Sequence, residues 1–556
     1  QSLAVLTALS EYRELLLDAY PDSLTGNTTL YFLNGNITLT ILVGDATEGF
    51  AQLPSSKAGV VDAWYLDGFS PSKNPDMWQD SLFEQMGRLS KLDATVSTFT
   101  VAGIVRRGLN MAGFRIKKQG YGGKKKEIIT GVFQQGNKFG IGYKVRPINT
   151  KPQHVTIIGG GLASAFAAYL LTQQDIKVTI LSQHKAPAQG ASSNRIGALY
   201  PLIHQEPDDI SLFYEKAFNF AVEFYQSIIS QGIKFSHDWT GLLELSHNDA
   251  LRKRQQLFCK SKWPQSLIHP VDHIQASKIA NMPLQDGGLF IPKAGWIAPA
   301  ELVEALLSHC IDSKKLKVKF NVKVEKITQL DNDKWLLDSN KGQFKASVLV
   351  LAGGAEMIPL DYFKKLPFTP VRGQVSEMPA NANTEALSTV ICHKGYLTPQ
   401  NNGIHCIGAT FDKHQTNESP KQEDDIYNLN TLERSMPNAT GWHLDDVITS
   451  KARIRCMTPD HLPVVGSMPD IKANIAAYSH LAKDKNWRYQ ATAPVVKNLF
   501  VLSGLGARGL CSAPLLATIL VSDICGTPYP IDSHMLFNVS ANRFTIRDII
   551  KRKIDV

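Results

Sequence analysis

Residues Val155 to Ser164 read Val-Thr-Ile-Ile-Gly-Gly-Gly-Leu-Ala-Ser, an apolar run that breaks into three glycines and then into helix-forming residues. The chemistry such a stretch supports is the binding of a dinucleotide's pyrophosphate. Gly159, Gly161 and Ser164 take the Gly-x-Gly-x-x-Gly positions. Glycine at 159 permits the tight turn, and the missing side chain at 161 lets backbone amides approach the phosphates. A helix starting near Leu162 and Ala163 then turns its positive dipole end toward the charge. Ser164 replaces the third glycine and is small enough for close helix packing. The second strand ends Ile180-Leu181-Ser182, where the pattern expects an acid for the ribose hydroxyls. Ser182 hydrogen-bonds a ribose more weakly, so adenosine binding is expected to lean on other contacts.

Two acids nearer the start also have chemical potential. Ile41-Leu-Val-Gly-Asp45 reads as a buried strand ending in an acid, and Trp64-Tyr-Leu-Asp-Gly-Phe-Ser-Pro71 as another, followed by Lys73-Asn-Pro-Asp-Met-Trp78. In an α/β sheet ligands bind beyond the carboxyl ends of the strands, which predicts Asp45 and Asp67 at one rim. There Asp45 would accept hydrogen bonds from an adenosine, and Asp67 would accept a proton or hold an amine nucleophile. Two cap or turn acids are the plainer alternative. Between Arg106 and Lys126 lie Arg106, Arg107, Arg115, Lys117, Lys118, Lys124, Lys125 and Lys126 with no acid among them. A solvated basic face is one reading. Glycines and Tyr121 within the run suggest instead a mobile loop with a stacking surface, suited to nucleic acid. The formal charge of +9 and pI near 9.0 favour a polyanionic partner.

The elements that must position these residues follow from pattern. At roughly 100 to 200 residues per domain, 556 residues imply about three or four structural units. The apolar share of 43% with 20% charged residues is that of a soluble globular protein, and no apolar run approaches the roughly 20 residues of a membrane span. Seven scattered cysteines without metal-ligand spacing fit reduced thiols in the cytoplasm. The start at Gln1 shows no signal pattern and suggests a processed or shortened first domain. Residues 1–135 alternate helix and strand, with strands expected at Thr38 to Val43, Ala63 to Leu66, Thr95 to Phe99 and Glu127 to Val132. Residues 136–153 have linker composition. A β-α-β unit opens a second domain over 154–556. Its dinucleotide part is expected at about 154–235, 296–360 and 455–530, with an inserted antiparallel substrate sheet at about 236–295 and 361–454.

Several segments of this second domain resemble the D-amino-acid oxidase superfamily, which includes glycine and sarcosine oxidases. Gly190-Ala-Ser-Ser-Asn-Arg-Ile-Gly197 resembles its flavin-contacting loop, Gly295-Trp-Ile-Ala-Pro299 its helix entry, and Val350-Leu-Ala-Gly-Gly-Ala355 its strand-turn returning to the dinucleotide. Arg455-Cys-Met-Thr-Pro-Asp460 resembles its Arg-Pro-x-Thr-x-Asp segment, and Gly504-Leu-Gly-Ala-Arg-Gly509, with Leu510, its final flavin-binding turn. The resemblance implies FAD, held by the glycine turn together with Gly190, Ala191, Ser192, Asn194, Arg195, Gly353, Gly354, Gly504, Gly506, Arg508, Gly509 and Leu510. It implies hydride removal beside an amine, giving an imine that water hydrolyses. Arg455 would bind the substrate carboxylate, with Arg453 as the fallback, while residues 506 to 509 would offer backbone amides to the flavin ring. No general base is evident.

Asp67-Gly-Phe-Ser-Pro-Ser-Lys-Asn-Pro-Asp-Met-Trp78, then Thr98 to Leu109 and Gly113-Phe114, closely resemble the methyltransferase domain of the bifunctional tRNA wobble-uridine modification enzymes. The fold expected is α/β: a Rossmann-like methyltransferase domain, N-terminally incomplete, before a glycine-oxidase-like FAD domain. The resemblance implies that the flavin domain converts 5-carboxymethylaminomethyl-uridine to 5-aminomethyl-uridine and that the first domain methylates that amine with S-adenosylmethionine. Asp45 and Asp67 would hold that cofactor, Asp67 would take the proton, and Arg106, Arg107 and Lys124 to Lys126 would bind the tRNA anticodon stem-loop. The family's glycine-rich loop for S-adenosylmethionine does not occur between Gln1 and Asp45. A free amino-acid oxidase, or an oxidase whose first domain merely docks tRNA, are the alternatives. Two fused activities need no partner subunit, so a monomer is plausible.

Overall fold

The structure, a computed structural model, describes residues 10–20, 27–32, 37–53, 59–120, 127–135, 149–487, 489, 492–527 and 529–554. Two compact units comprise Gln1–Ile148, Asn486–Ala493 and Pro528–Leu536 on the one hand, and Asn149–Lys485, Pro494–Thr527 and Phe537–Val556 on the other. The second unit starts inside the expected linker, where Asn149 donates to the backbone carbonyl of Asp523 at 2.9 Å. Residues 136–148 lie outside the described residues.

In the first unit, α1 (Ser10–Ala19) precedes an antiparallel hairpin of β1 (Asn27–Phe32) and β2 (Ile37–Leu42). After α2 (Ala46–Gln52), strands β3 (Val61–Leu66), β4 (Ser90–Thr98), β5 (Phe114–Gly120) and β6 (Glu127–Phe133) form a sheet in the order β3-β4-β6-β5. Amphipathic helices α3 (Asp80–Leu89) and α4 (Gly103–Ala112) bury Phe83, Met86, Val105 and Leu109 against Val96 and Phe114. Two expectations are corrected. Strand β2 is not a buried neighbour of β3: Ile37-Thr-Leu-Thr-Ile-Leu42 alternates apolar and polar residues, and local pairing with β1 satisfies its backbone. The described part of the basic run, residues 106–120, is not a mobile loop, because Arg106 and Arg107 ride on α4 while Arg115, Lys117 and Lys118 belong to β5, paired with β6 over seven residues. Tyr121 and Lys124, Lys125 and Lys126 lie outside the described residues.

The second unit opens with β7 (His154–Ile158), α5 (Leu162–Gln173) and β8 (Lys177–Leu181). Central strand β7 is buried from Val155 to Ile158, as a parallel strand covered on both faces must be. Alanines 163, 165, 167 and 168 keep α5 thin enough for close packing. The chain continues through α6 (Asp209–Ser230) and α7 (Pro299–Asp312) to β9 (Leu316–Lys319) and β10 (Leu349–Leu351), which join the same sheet. It then leaves for a nine-stranded sheet containing β11 (Thr369–Pro379) and β12 (Thr449–Met457), joined through α8 (Gln422–Ser435). All pairings there are antiparallel except that of residues 242–244 with 390–392. Returning through β13 (Val464–Pro469) and β14 (Val495–Ser503), the chain completes a six-stranded sheet in the order β9-β8-β7-β10-β14-β13, followed by α9 (Gly509–Cys525) and α10 (Asn542–Ile550). Helix α9 packs on α5 and α6.

A buried ion pair fixes the stretch between β12 and β13. Arg543 of α10, wholly buried, donates to Asp460 through Nε and Nη2 at 2.9 Å each, and to the carbonyls of Leu462, Pro463 and Ser540. Burial raises the Asp460 carboxyl, but Arg543 and Arg547 outweigh it and hold the group below its ordinary range. The stabilisation is thus complete above the ordinary carboxylate pKa and lost as pH falls through the depressed one. Asp460→Ala is expected to cost about 3–5 kcal/mol, seen as a lower denaturant midpoint, because it strands the Arg543 charge. Replacing both residues by apolar ones should recover most of the loss, and a double variant no better than the single one would refute this account.

Candidate active site

A cavity of about 550 Å³ lies in the second unit beyond the carboxyl ends of β7, β8 and β10. Gly159, Gly161, Leu162 and Ala163 border it, as do Ser182, Gly190, Ala191, Ser192, Asn194, Gly353, Gly354, Gly504, Gly506, Arg508, Gly509 and Leu510. Gly159 has φ +135°, and a β-carbon on it would meet the Ala352 carbonyl oxygen at 2.5 Å. The turn therefore tolerates no larger residue. A β-carbon on Gly161 would lie 3.0 Å from Ser192 Oγ, which accepts from the Leu162 amide at the start of α5 at 3.1 Å. Ser164 does not border the cavity: it is wholly buried, 3.5 Å from the Ala352 carbonyl, and locks the turn against β10.

At the other end stand two arginines. Arg455, on β12, borders the cavity, is surrounded by protein, and has one long hydrogen bond among the described residues, 3.5 Å to the Thr410 carbonyl. Burial pulls its pKa down, while Tyr396 and Tyr200 act against that. Its guanidinium crosses Gly373 of β11, where a β-carbon would lie 2.6 Å from both terminal nitrogens. Arg508 also turns its side chain to the cavity, over the Tyr200 ring at 4.8 Å, and its Nε has no partner. Its role is thus not confined to the backbone amides expected from sequence. Neither guanidinium makes a salt bridge among the described residues; Glu244, which pairs with Arg254 at 2.6 Å, acts on Arg508 only through its charge, so each can still meet an anion.

Arg453 and Arg195 lie elsewhere. Arg453 Nε donates to Ser193 Oγ at 2.9 Å and the Gln189 carbonyl at 3.0 Å, pinning the cavity-lining loop. Arg195 Nε donates to the buried Glu377 at 3.0 Å, which Lys451 also meets at 3.1 Å. Sequence reasoning missed Tyr200, Tyr396 and His393, all on the cavity wall. Burial raises the Tyr396 phenol, and at Tyr200 the Arg508 charge, the largest influence, pulls down but is outweighed by burial together with Cys392 and Glu244, so both hydroxyls remain donors. His393 is pushed down to about 4 by burial, with a further contribution from His247, and Nδ1 accepts from the Gly395 amide at 3.1 Å. The ring is therefore neutral with its proton on Nε2, which has no partner. No motif marks these residues, but Gly373 inside a strand was a legible sign of close approach.

In the first unit Asp45 N-caps α2, accepting from the Glu48 amide at 3.0 Å, and Asp67 is exposed just past β3. The strands that lead to the two acids, β2 and β3, belong to separate sheets. Arg106, Arg107, Arg115 and Lys117 are exposed, while Lys118 pairs with Glu127 at 3.1 Å. No group of metal-ligating side chains occurs among the described residues.

Residues 154–522 match the family of FAD dependent oxidoreductases, and residues 7–134 the S-adenosyl-L-methionine-dependent methyltransferases. Over its full length the chain is 36% identical to the "tRNA 5-methylaminomethyl-2-thiouridine biosynthesis bifunctional protein MnmC" of Aeromonas salmonicida, spanning 83% of that protein. The chain belongs to the MnmC family. A second MnmC, from Pseudoalteromonas translucida, is 36% identical over 99% of this chain and 83% of its own length. The chain thus combines an FAD oxidoreductase with an S-adenosylmethionine-dependent methyltransferase domain, as MnmC proteins do. Among solved structures it resembles glycine oxidase from Geobacillus kaustophilus (TM-score 0.57, 20% identity, 70% of this chain and 99% of that one). Iminodiacetate oxidase from a Chelativorans species is similar too (TM-score 0.54, 18% identity, 69% and 98%). These two likenesses establish the MnmC oxidase fold alone.

The unpartnered Ser182 Oγ and Arg508 Nε, with glycines wherever a β-carbon would intrude, fit the cavity to FAD. Gly159→Ala is expected to yield protein purified without flavin, read as loss of its visible absorbance. A variant retaining stoichiometric flavin would contradict the turn's assigned role.

Proposed function

We propose that the cavity removes the carboxymethyl group of 5-carboxymethylaminomethyl-(2-thio)uridine in tRNA, and that the first unit methylates the resulting amine to give 5-methylaminomethyl-(2-thio)uridine. The observation carrying this reading is that two guanidiniums, Arg455 and Arg508, border the cavity with no salt bridge among the described residues. The substituent ends in a carboxylate, which a planar fork binds bidentately. FAD, held by the glycine turn and the 190–194 loop, supplies the two-electron acceptor. Arg455 holds the carboxylate, Arg508 adds charge beside it, and the neutral Tyr200 and Tyr396 hydroxyls and His393 Nε2–H donate hydrogen bonds without adding charge.

S-adenosylmethionine supplies an electrophilic methyl group. An aminomethyl group is mostly protonated at neutral pH, and the Asp67 carboxylate binds the ammonium and takes its proton. Exposed Arg106, Arg107, Arg115 and Lys117 meet phosphates of the anticodon stem-loop. All seven cysteines are free thiols, in keeping with a cytoplasmic location. No described helix is long and apolar enough to cross a membrane.

Incubating the flavin-loaded chain with hypomodified tRNA tests the first step: release of the carboxymethyl carbons is expected, and their retention on the tRNA refutes it. Gly373→Ala, which displaces the Arg455 guanidinium, is expected to raise KM for this tRNA about tenfold with little change in kcat, the loss of one charge-assisted hydrogen bond. For the second step, Asp67→Asn is expected to leave 5-aminomethyl-uridine accumulating while oxidation proceeds at the parent rate. Methylation undiminished in that variant would remove Asp67 from the mechanism.

A further inference from the structure

The dinucleotide turn lacks the acid that ordinarily holds the adenosine ribose. Ser182 stands there instead, at the end of β8, with a buried Oγ that has no partner. A carboxylate nevertheless reaches this end of the cavity from another part of the unit. Glu356 lies in the 3₁₀ turn Gly354–Met357 that follows β10, and its Oε1 meets Nε2 of His184, two residues past Ser182, at 2.7 Å. Ser182, His184 and Glu356 all border the cavity. Parallel pairing of β8 with β7 and of β7 with β10 aligns the three carboxyl ends, so the turn after β10 and the segment after β8 open on the same side.

The surrounding backbone supports the placement. A β-carbon on Gly190, in the loop lining the cavity, would lie 3.5 Å from Glu356 Oε1, and one on Gly160, in the pyrophosphate turn, would lie 2.6 Å from Ser182 Oγ. The Ala188 amide, two residues before Gly190, donates to the Gly160 carbonyl at 2.8 Å, which joins these two places. Glu356 Oε2 has no donor among the described residues, and the side chain is 31% exposed. His184 is pushed up chiefly by its hydrogen bond to Glu356, which favours the charged pair.

We propose that Glu356 is the ribose-binding acid of the FAD site, delivered from the turn after β10, with Oε2 accepting from the ribose hydroxyls and Ser182 Oγ as a neutral second contact. The geometry moves the acid from the end of the second strand to a residue about 170 positions later without moving its function. His184 is the positioning residue, since it occupies Oε1 and leaves Oε2 for the ligand. The proposal rests on the reading of this cavity as an FAD site.

Titration of the apoprotein with ADP, 2′-deoxy-ADP and FAD tests it, with flavin fluorescence as the direct and competitive signal. The parent protein is expected to bind ADP about tenfold more tightly than 2′-deoxy-ADP, the worth of a hydrogen bond to a charged group. Glu356→Ala, which removes the acceptor, should bind the two equally, with the FAD dissociation constant raised about as much and the bound flavin spectrum unchanged. No preference for ADP in the parent, or a preference surviving in Glu356→Ala, overturns the proposal. Failure of the parent to bind FAD at all would instead overturn the cofactor reading on which it stands.

Discussion

A guanidinium surrounded by protein is costly unless an anion meets it. Arg455 is held in that condition by the pairing of β11 with β12, nine residue pairs long, which sets Gly373 beneath its guanidinium and leaves no β-carbon to push it aside. The Asp460–Arg543 clamp a few residues later keeps the end of β12 from drifting. Where a protein carboxylate would ordinarily relieve the charge, the fold leaves a cavity, which Arg508 also borders. Anion recognition and strand register are thus one constraint.

The cavity is accordingly divided by charge preference. Its adenosine end combines a helix N-terminus and a tight glycine turn with Glu356, so it presents both a phosphate cradle and an acceptor for hydroxyls. The part proposed to take the substrate combines cations with phenols and a histidine that burial keeps neutral. Other cations that seem available from sequence are engaged. Arg453 secures the loop at Ser193, and Arg195 shares Glu377 with Lys451, so these side chains shape the walls instead of serving the ligand directly.

The first unit shows the opposite balance. Its core is built by α3 and α4 against the β3-β4-β6-β5 sheet, while its candidate reactive groups stay exposed. The basic residues of α4 and β5 are held on rigid elements, an arrangement that fixes the spacing of charges offered to a phosphate backbone. An ordered charge array gives register on a nucleic acid in a way that a flexible loop cannot.

The glycine turn, the parallel strand leading into it and the alternation of α and β were legible in the sequence, because each depends on contiguous residues: φ at Gly159, the apolar run Val155 to Ile158, the alanine face of α5. So were the segments around Gly190, Gly353, Arg455 and Gly504, whose resemblance to the D-amino-acid oxidase superfamily implied FAD, and the Asp67 stretch, whose resemblance implied a methyltransferase. Tertiary structure alone decided which arginines face the cavity, that the strands leading to Asp45 and Asp67 belong to separate sheets, and that Glu356 meets His184. The physical reason is the range of the determining contact. A turn is specified by the residues that form it, whereas a guanidinium's destination is set by what lies across the sheet, 82 positions earlier in the chain for Arg455 and Gly373.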